Sequence, residues 1–171
     1  MHRVMTAFSV PKMLKRLSLS KEEMRRYLPY ARRNFFGPTL VNEARALREQ
    51  YAGELEIFVG MELDYFGENP GGLDYVIGSV HCVKQGDAAC YVDESAQASQ
   101  RAVDEYFGGD WYRYTDAYYD LVADLPRKTG CQWIGHFDLV TKFNEQAHTI
   151  DEDSPRYLRR AFPAYGVRFI A

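Results

Sequence analysis

Apolar residues first recur at helical spacing behind a capping box. Ser20 and Glu23 form the box, and Met24, Leu28, Ala31 and Phe35 follow it. A second helix is expected from Pro38-Thr39, with Leu40, Ala44, Leu47 and Tyr51 on its apolar face and Gly53 as its stop. The period then changes. Leu55–Asp64 and Tyr75–His81 are nearly continuous apolar runs rich in branched and aromatic residues, the pattern of buried strands. Ser95 can cap a helix reaching Phe107, with Ala98, Ala102, Val103 and Phe107 inward. Gly108-Gly109 separates it from another, Trp111 to about Lys128, with Tyr114, Tyr118, Leu121 and Leu125 inward and Gly130 as its end. Cys131 to Asp138 reads as a strand. Ser154-Pro155 supplies an N-cap and a first-turn proline for a short helix that Phe162-Pro163 should interrupt, and Val167 to Ile170 starts a further strand.

Helices alternating with apolar strands predict an α/β fold built on a parallel sheet. No repeat, low-complexity tract or linker divides the chain, so it reads as one domain, 1–171. In a barrel of such strands, chemistry belongs at their C-terminal ends. Three strand candidates end in Glu62, in His81 and in Gly135-His136.

Composition narrows the function classes. With 46% hydrophobic residues the chain can bury a core, and a net charge of −3 gives no general attraction to nucleic acid or anionic lipid. No apolar run approaches the roughly 20 residues that span a bilayer. The opening Met1-His2-Arg3-Val4-Met5 lacks the apolar block of a signal peptide, so a cytoplasmic protein is expected. Cys82, Cys90 and Cys131 are odd in number and form no Cys-x-x-Cys pair, which reads as small buried hydrophobes and not a disulfide framework or zinc finger. Asp151-Glu152-Asp153 lacks the spacing and central glycine of a calcium loop. Gly71-Gly72 and Gly108-Gly109 match no phosphate-binding glycine pattern and read as turns, and no Gly-x-Ser-x-Gly elbow exists.

Four histidines are present: His2, His81, His136 and His148. A lone histidine at the end of an apolar strand is more often a buried ring bonded to a carbonyl than a ligand. Two of them beside a strand-end glutamate make a donor set that suits Zn²⁺, Mn²⁺ or Fe²⁺, so a metal site and a pair of structural rings stand as competing readings. His2 and His148 lie in polar contexts and read as solvated.

Three segments then resemble consecutive segments of bacterial histidinol-phosphatases of the PHP (polymerase and histidinol phosphatase) superfamily. They are Gly60-Met61-Glu62-Leu63-Asp64-Tyr65, Asp74-Tyr75-Val76-Ile77-Gly78-Ser79-Val80-His81 and Gly135-His136-Phe137-Asp138-Leu139-Val140-Thr141-Lys142-Phe143-Asn144. Val92-Asp93-Glu94 and Tyr106-Phe107-Gly108-Gly109-Asp110 match as well, and the resemblance runs from about Leu19 to about Tyr157. It implies a distorted (β/α)7, TIM-like barrel holding two or three divalent ions. It also implies hydrolysis of the phosphate monoester L-histidinol phosphate in histidine biosynthesis. On that resemblance Glu62, His81 and His136 would be metal ligands that act in catalysis through metal-activated water. Asp64 and Asp138 would orient the ligand imidazoles, and Lys142 would meet the substrate phosphate as a point charge.

The chain also departs from the family pattern. The family opens with a His-x-His strand, whereas residues 1 to 18 contain only His2. It closes with an Asp-x-His pair that the sequence does not reach by Ala171. The expectation is therefore a PHP domain truncated at both ends, with an incomplete sheet, a site for one ion, and no nucleic-acid or membrane partner. Two alternatives stay open: a non-catalytic PHP remnant, and a PHP phosphoesterase acting on another phosphate monoester.

Overall fold

Helix α1, Gly37–Gln50, turns Val41 and Ala44 onto Val59 of strand β2, Leu55–Asp64, while Leu47 stands 46% exposed. The computed structural model describes residues 2–6, 37–147 and 149–165. The capping-box helix expected from Ser20, the strand expected from Val167, and His148 lie outside them. Strand β1, His2–Thr6, was not anticipated and pairs with β2 in parallel, His2 opposite Leu55 and Thr6 opposite Val59. His2 enters the described structure only as a backbone position on that strand.

Strand β3, Tyr75–Ser79, follows. The Asp74 amide donates to the Val59 carbonyl, and the Tyr65 amide donates to the Ser79 carbonyl. Both partners advance together along the chain, so β2 and β3 also run in the same direction. With β6, Trp133–Ile134, the order across the four-stranded sheet is β1-β2-β3-β6. The architecture is α/β with a parallel sheet, and among the described residues no closed barrel forms.

The described residues divide into two compact units, one of residues 2–6, 37–62 and 68–77, the other of residues 63–67, 78–147 and 149–165. In the first, Arg45 donates to the carbonyls of Gly71 and Gly72, while Arg48 and the Val59 amide both reach the Asp74 carboxylate. Gly71 and Gly72 take φ of 73° and 64°, conformations that favour glycine, and their carbonyls serve a guanidinium.

The second unit holds the larger core. A hairpin of β4, Cys82–Gln85, and β5, Ala88–Tyr91, was missed from sequence; Gly86 at φ 58° opens its two-residue turn. Helix α2, Ala96–Tyr106, is capped by Ser95 as expected, and helix α3, Trp111–Thr129, ends on Gly130 in the left-handed conformation. On α3 the pairs Tyr114/Thr115, Tyr118/Tyr119 and Val122/Leu125 are all buried, a stripe wide enough to contact neighbours on two sides. Helix α5, Pro155–Tyr165, starts on the Ser154 cap. A 3₁₀ turn, Leu139–Thr141, and the short helix α4, Asn144–Ala147, lie between α3 and α5.

Pro163 does not break α5. It lies on the exposed side of the helix, while Tyr157 and Ala164 hold the other side in the core. Cys82 and Cys90 are buried, and Cys131 is partly so. No described helix is long and apolar enough to cross a membrane.

Asp110 caps α3 through the Tyr112 amide and accepts from Arg156 of α5 at 2.7 Å. Partial burial pushes this carboxyl up, but the guanidinium and the two amides of the first turn outweigh it and hold it below its ordinary value. A depressed folded-state pKa contributes stability that is present above the unfolded value and lost as pH falls through the folded one. Asp110→Asn keeps a capping acceptor and loses the charge. It should cost about 0.5–1 kcal/mol at neutral pH and nothing in strong acid, read from urea midpoints at several pH values.

Candidate metal centre

Glu62 and Asp64 stand at the C-terminal end of β2, on the same side of the strand because they are two residues apart. The end of β2 is pinned locally. Tyr65 donates its amide to Ser79 and its hydroxyl to Asp124 at 2.8 Å, and Arg127 holds that carboxylate with two hydrogen bonds.

The strand expected through His81 stops at Ser79. The reason is local: the His81 amide finds its acceptor in the Asp64 carboxylate at 3.2 Å, not in a neighbouring strand. The same Oδ2 lies 3.1 Å from His81 Nδ1, and Oδ1 accepts from the Phe66 amide at 2.9 Å. Burial raises the Asp64 carboxyl, yet the His81 ring and the two amides outweigh it and keep it below its ordinary value. An ionised carboxylate only accepts, so this hydrogen bond assigns a proton to His81 Nδ1. That is the arrangement by which carboxylates orient ligand histidines.

The strand expected from Cys131 to Asp138 contracts to Trp133–Ile134. On one side Cys131 is tied to the end of α3, its amide donating to Thr129 Oγ1. On the other, His136 adopts φ 58°, and a left-handed residue cannot continue a strand. Such a conformation costs a non-glycine residue on the order of 1–3 kcal/mol, less for histidine than for branched residues. The Tyr118 hydroxyl donates to the His136 carbonyl at 2.7 Å. Tyr118 reads from sequence only as a core aromatic, because a contact from a side chain to a distant backbone atom leaves no periodic signal.

Glu62, His81 and His136 are brought together. Each offers one ligand atom, and these atoms all lie within 4.8 Å of one another. The two imidazole rings meet edge to face, centroids 5.8 Å apart. An ion bound at 2.0–2.2 Å would draw tetrahedral ligands to about 3.4 Å from one another, a small closure for the exposed His136 side chain. Two imidazoles and a carboxylate suit zinc, manganese or iron, so the donor set fits a divalent transition ion.

Asp138 and Lys142 do not join the cluster of Glu62, His81 and His136. Asp138 is exposed at the start of the 3₁₀ turn, where its side chain makes no capping bond. Lys142 is exposed, donates to the Asp93 carbonyl at 3.3 Å and lies 5.3 Å from the Phe143 ring centroid.

No family model matches the chain. It is similar to a probable histidinol-phosphatase of Schizosaccharomyces pombe, 30% identical over 113 residues, covering 60% of this chain and 35% of the relative. It is also similar to a probable histidinol-phosphatase of Deinococcus radiodurans, 32% identical over 115 residues, covering 62% of this chain and 41% of the relative. The matches thus span about two-fifths or less of the length of these relatives.

Proposed function

We propose that the chain carries part of a metal-dependent phosphatase of the PHP type, acting on histidinol phosphate, with its parallel sheet as a segment of a (β/α)7 barrel. The observation that carries this reading is the convergence of Glu62, His81 and His136, with His81 already oriented by Asp64. The similarity to two probable histidinol-phosphatases supports the substrate class.

A bound divalent ion would polarise a phosphoryl oxygen and lower the pKa of water. The protein's own residues would do the rest. Glu62 offers a carboxylate whose two oxygens can each accept a cation. Asp64 would hold a proton on His81 Nδ1, so that Nε2 of the neutral ring would be the nitrogen offered to the ion. Lys142, released from the Asp93 carbonyl, would bring a positive charge to a substrate phosphate. Asp138 would act as an outer partner that orients the His136 imidazole.

The donor cluster offers three ligands among the described residues, enough for one ion and an open position. The expected stoichiometry is one ion per chain, and turnover should be slow beside a site holding two or three ions. Phosphate release from histidinol phosphate, measured with Mn²⁺ or Zn²⁺ and again with EDTA, tests the reading. Release should depend on the metal and should favour histidinol phosphate over glycerol phosphate or an aryl phosphate. Absence of metal binding, or release untouched by EDTA, would remove the proposal. Binding of one ion without release would favour the non-catalytic reading.

A further inference from the structure

We propose that Tyr118 is a positioning residue for His136, acting through the backbone; the inference rests on the metal-binding reading of Glu62, His81 and His136. The two imidazoles of that cluster are held in different ways. The His81 ring is gripped directly by Asp64. His136 is exposed, on a turn, and is the one non-glycine residue with positive φ among the described residues. The direction of its Cα–Cβ bond is set by the orientation of its peptide.

That peptide is anchored from within the core. The Tyr118 side chain is fully buried in α3, packed edge to face on Tyr119 at 5.3 Å between centroids, and its hydroxyl donates to the His136 carbonyl at 2.7 Å. An amide contact to that carbonyl, from Leu139, is longer at 3.4 Å. A buried tyrosine hydroxyl requires a partner, and this one finds it at the residue whose backbone is strained. Removing the hydroxyl would leave the left-handed conformation with weaker support and let the peptide rotate. The imidazole would then swing away from Glu62 and His81.

Tyr119 provides a matched control. It lies on the same helix, is equally buried and packs its ring on Phe137, but spends its hydroxyl on Tyr157 and not on the His136 carbonyl. Co²⁺ titrations of the full chain, followed by visible absorption, should compare the wild type with Tyr118→Phe, Tyr119→Phe and Glu62→Ala. Tyr118→Phe should bind Co²⁺ roughly tenfold or more weakly, with an altered ligand-field spectrum, as expected for loss of a ligand's support. Tyr119→Phe should leave affinity and spectrum unchanged even if it melts at a lower temperature. Replacing Tyr118 by para-aminophenylalanine, which keeps a donor, should restore both, and it decides the matter if Tyr118→Phe does not fold. Wild-type binding by Tyr118→Phe, equal losses in the two phenylalanine variants, or no rescue would overturn the proposal. Undiminished binding by Glu62→Ala would instead overturn the metal reading beneath it.

Discussion

On the metal-dependent phosphatase reading proposed above, Glu62→Ala should abolish phosphate release and weaken Zn²⁺, Mn²⁺ or Co²⁺ binding beyond the roughly 10–100-fold that loss of an outer partner costs. The reasoning follows from ligand type. With Glu62 gone, two imidazoles remain, and they contribute no negative charge to offset the ion. Glu62 is also the one ligand able to contact a cation through two oxygens. The substitution removes no core volume, because Glu62 is only partly buried, so the fold should persist. Glu54→Ala, a charge removal at an exposed position just before the same strand, should change neither binding nor release. A linked readout is thermal. An ion that binds the folded chain alone raises its melting temperature with concentration, and that rise should vanish in Glu62→Ala while surviving in Glu54→Ala. Equal stabilisation of the two variants by metal would mean that the ion sits elsewhere.

The elements that were legible in the sequence share one property: their signals are local. Helix α2 begins on Ser95 and α5 on Ser154, because a side-chain cap is written within four residues. Strand β2 matches its expected bounds, Leu55 to Asp64, because its apolar run is uninterrupted. Glu62, His81 and His136 stand at or just beyond the ends of apolar runs, which singles them out in the sequence, and the fold brings them within 4.8 Å of one another. What escaped depends on partners far away in the chain. Strand β1 exists by pairing with β2 some fifty residues later, and nothing in His2–Thr6 alone marks it as a strand. The β4–β5 hairpin carried a readable signal, Gly86-Asp87 between two short runs, but Val83 and Cys90 had no obvious core until α3 supplied one. At Cys131 to Asp138 the pattern favoured a strand, and the tertiary demand at His136 prevailed over it.

Gly60→Ala should be among the most destabilising single substitutions in the first unit, although it adds one methyl group. Gly60 sits inside β2, where glycine otherwise weakens a strand and so marks a close approach. Its neighbour is Tyr75 of β3, whose ring covers the glycine. A Cβ at position 60 would fall on the Cζ, Cε1 and Cε2 atoms of that ring. Tyr75 is only 4% exposed, so the ring has little room to move aside, and the end of the clash that must yield is the rigid part of an aromatic side chain. Overpacking of this kind costs about 1–3 kcal/mol and more where relaxation is blocked, a large share of the roughly 5–15 kcal/mol that stabilises a domain. Denaturant melts of the wild type, Gly60→Ala, Tyr75→Leu and the double variant make the test specific. Tyr75→Leu alone should also destabilise, because it leaves a void. In the double variant the new methyl occupies part of that void, so the two costs should not add, and the coupling should exceed 1 kcal/mol in the favourable direction. Additive costs would show that the Tyr75 ring is free to turn away, and that Gly60 is required for some reason other than the approach of this side chain.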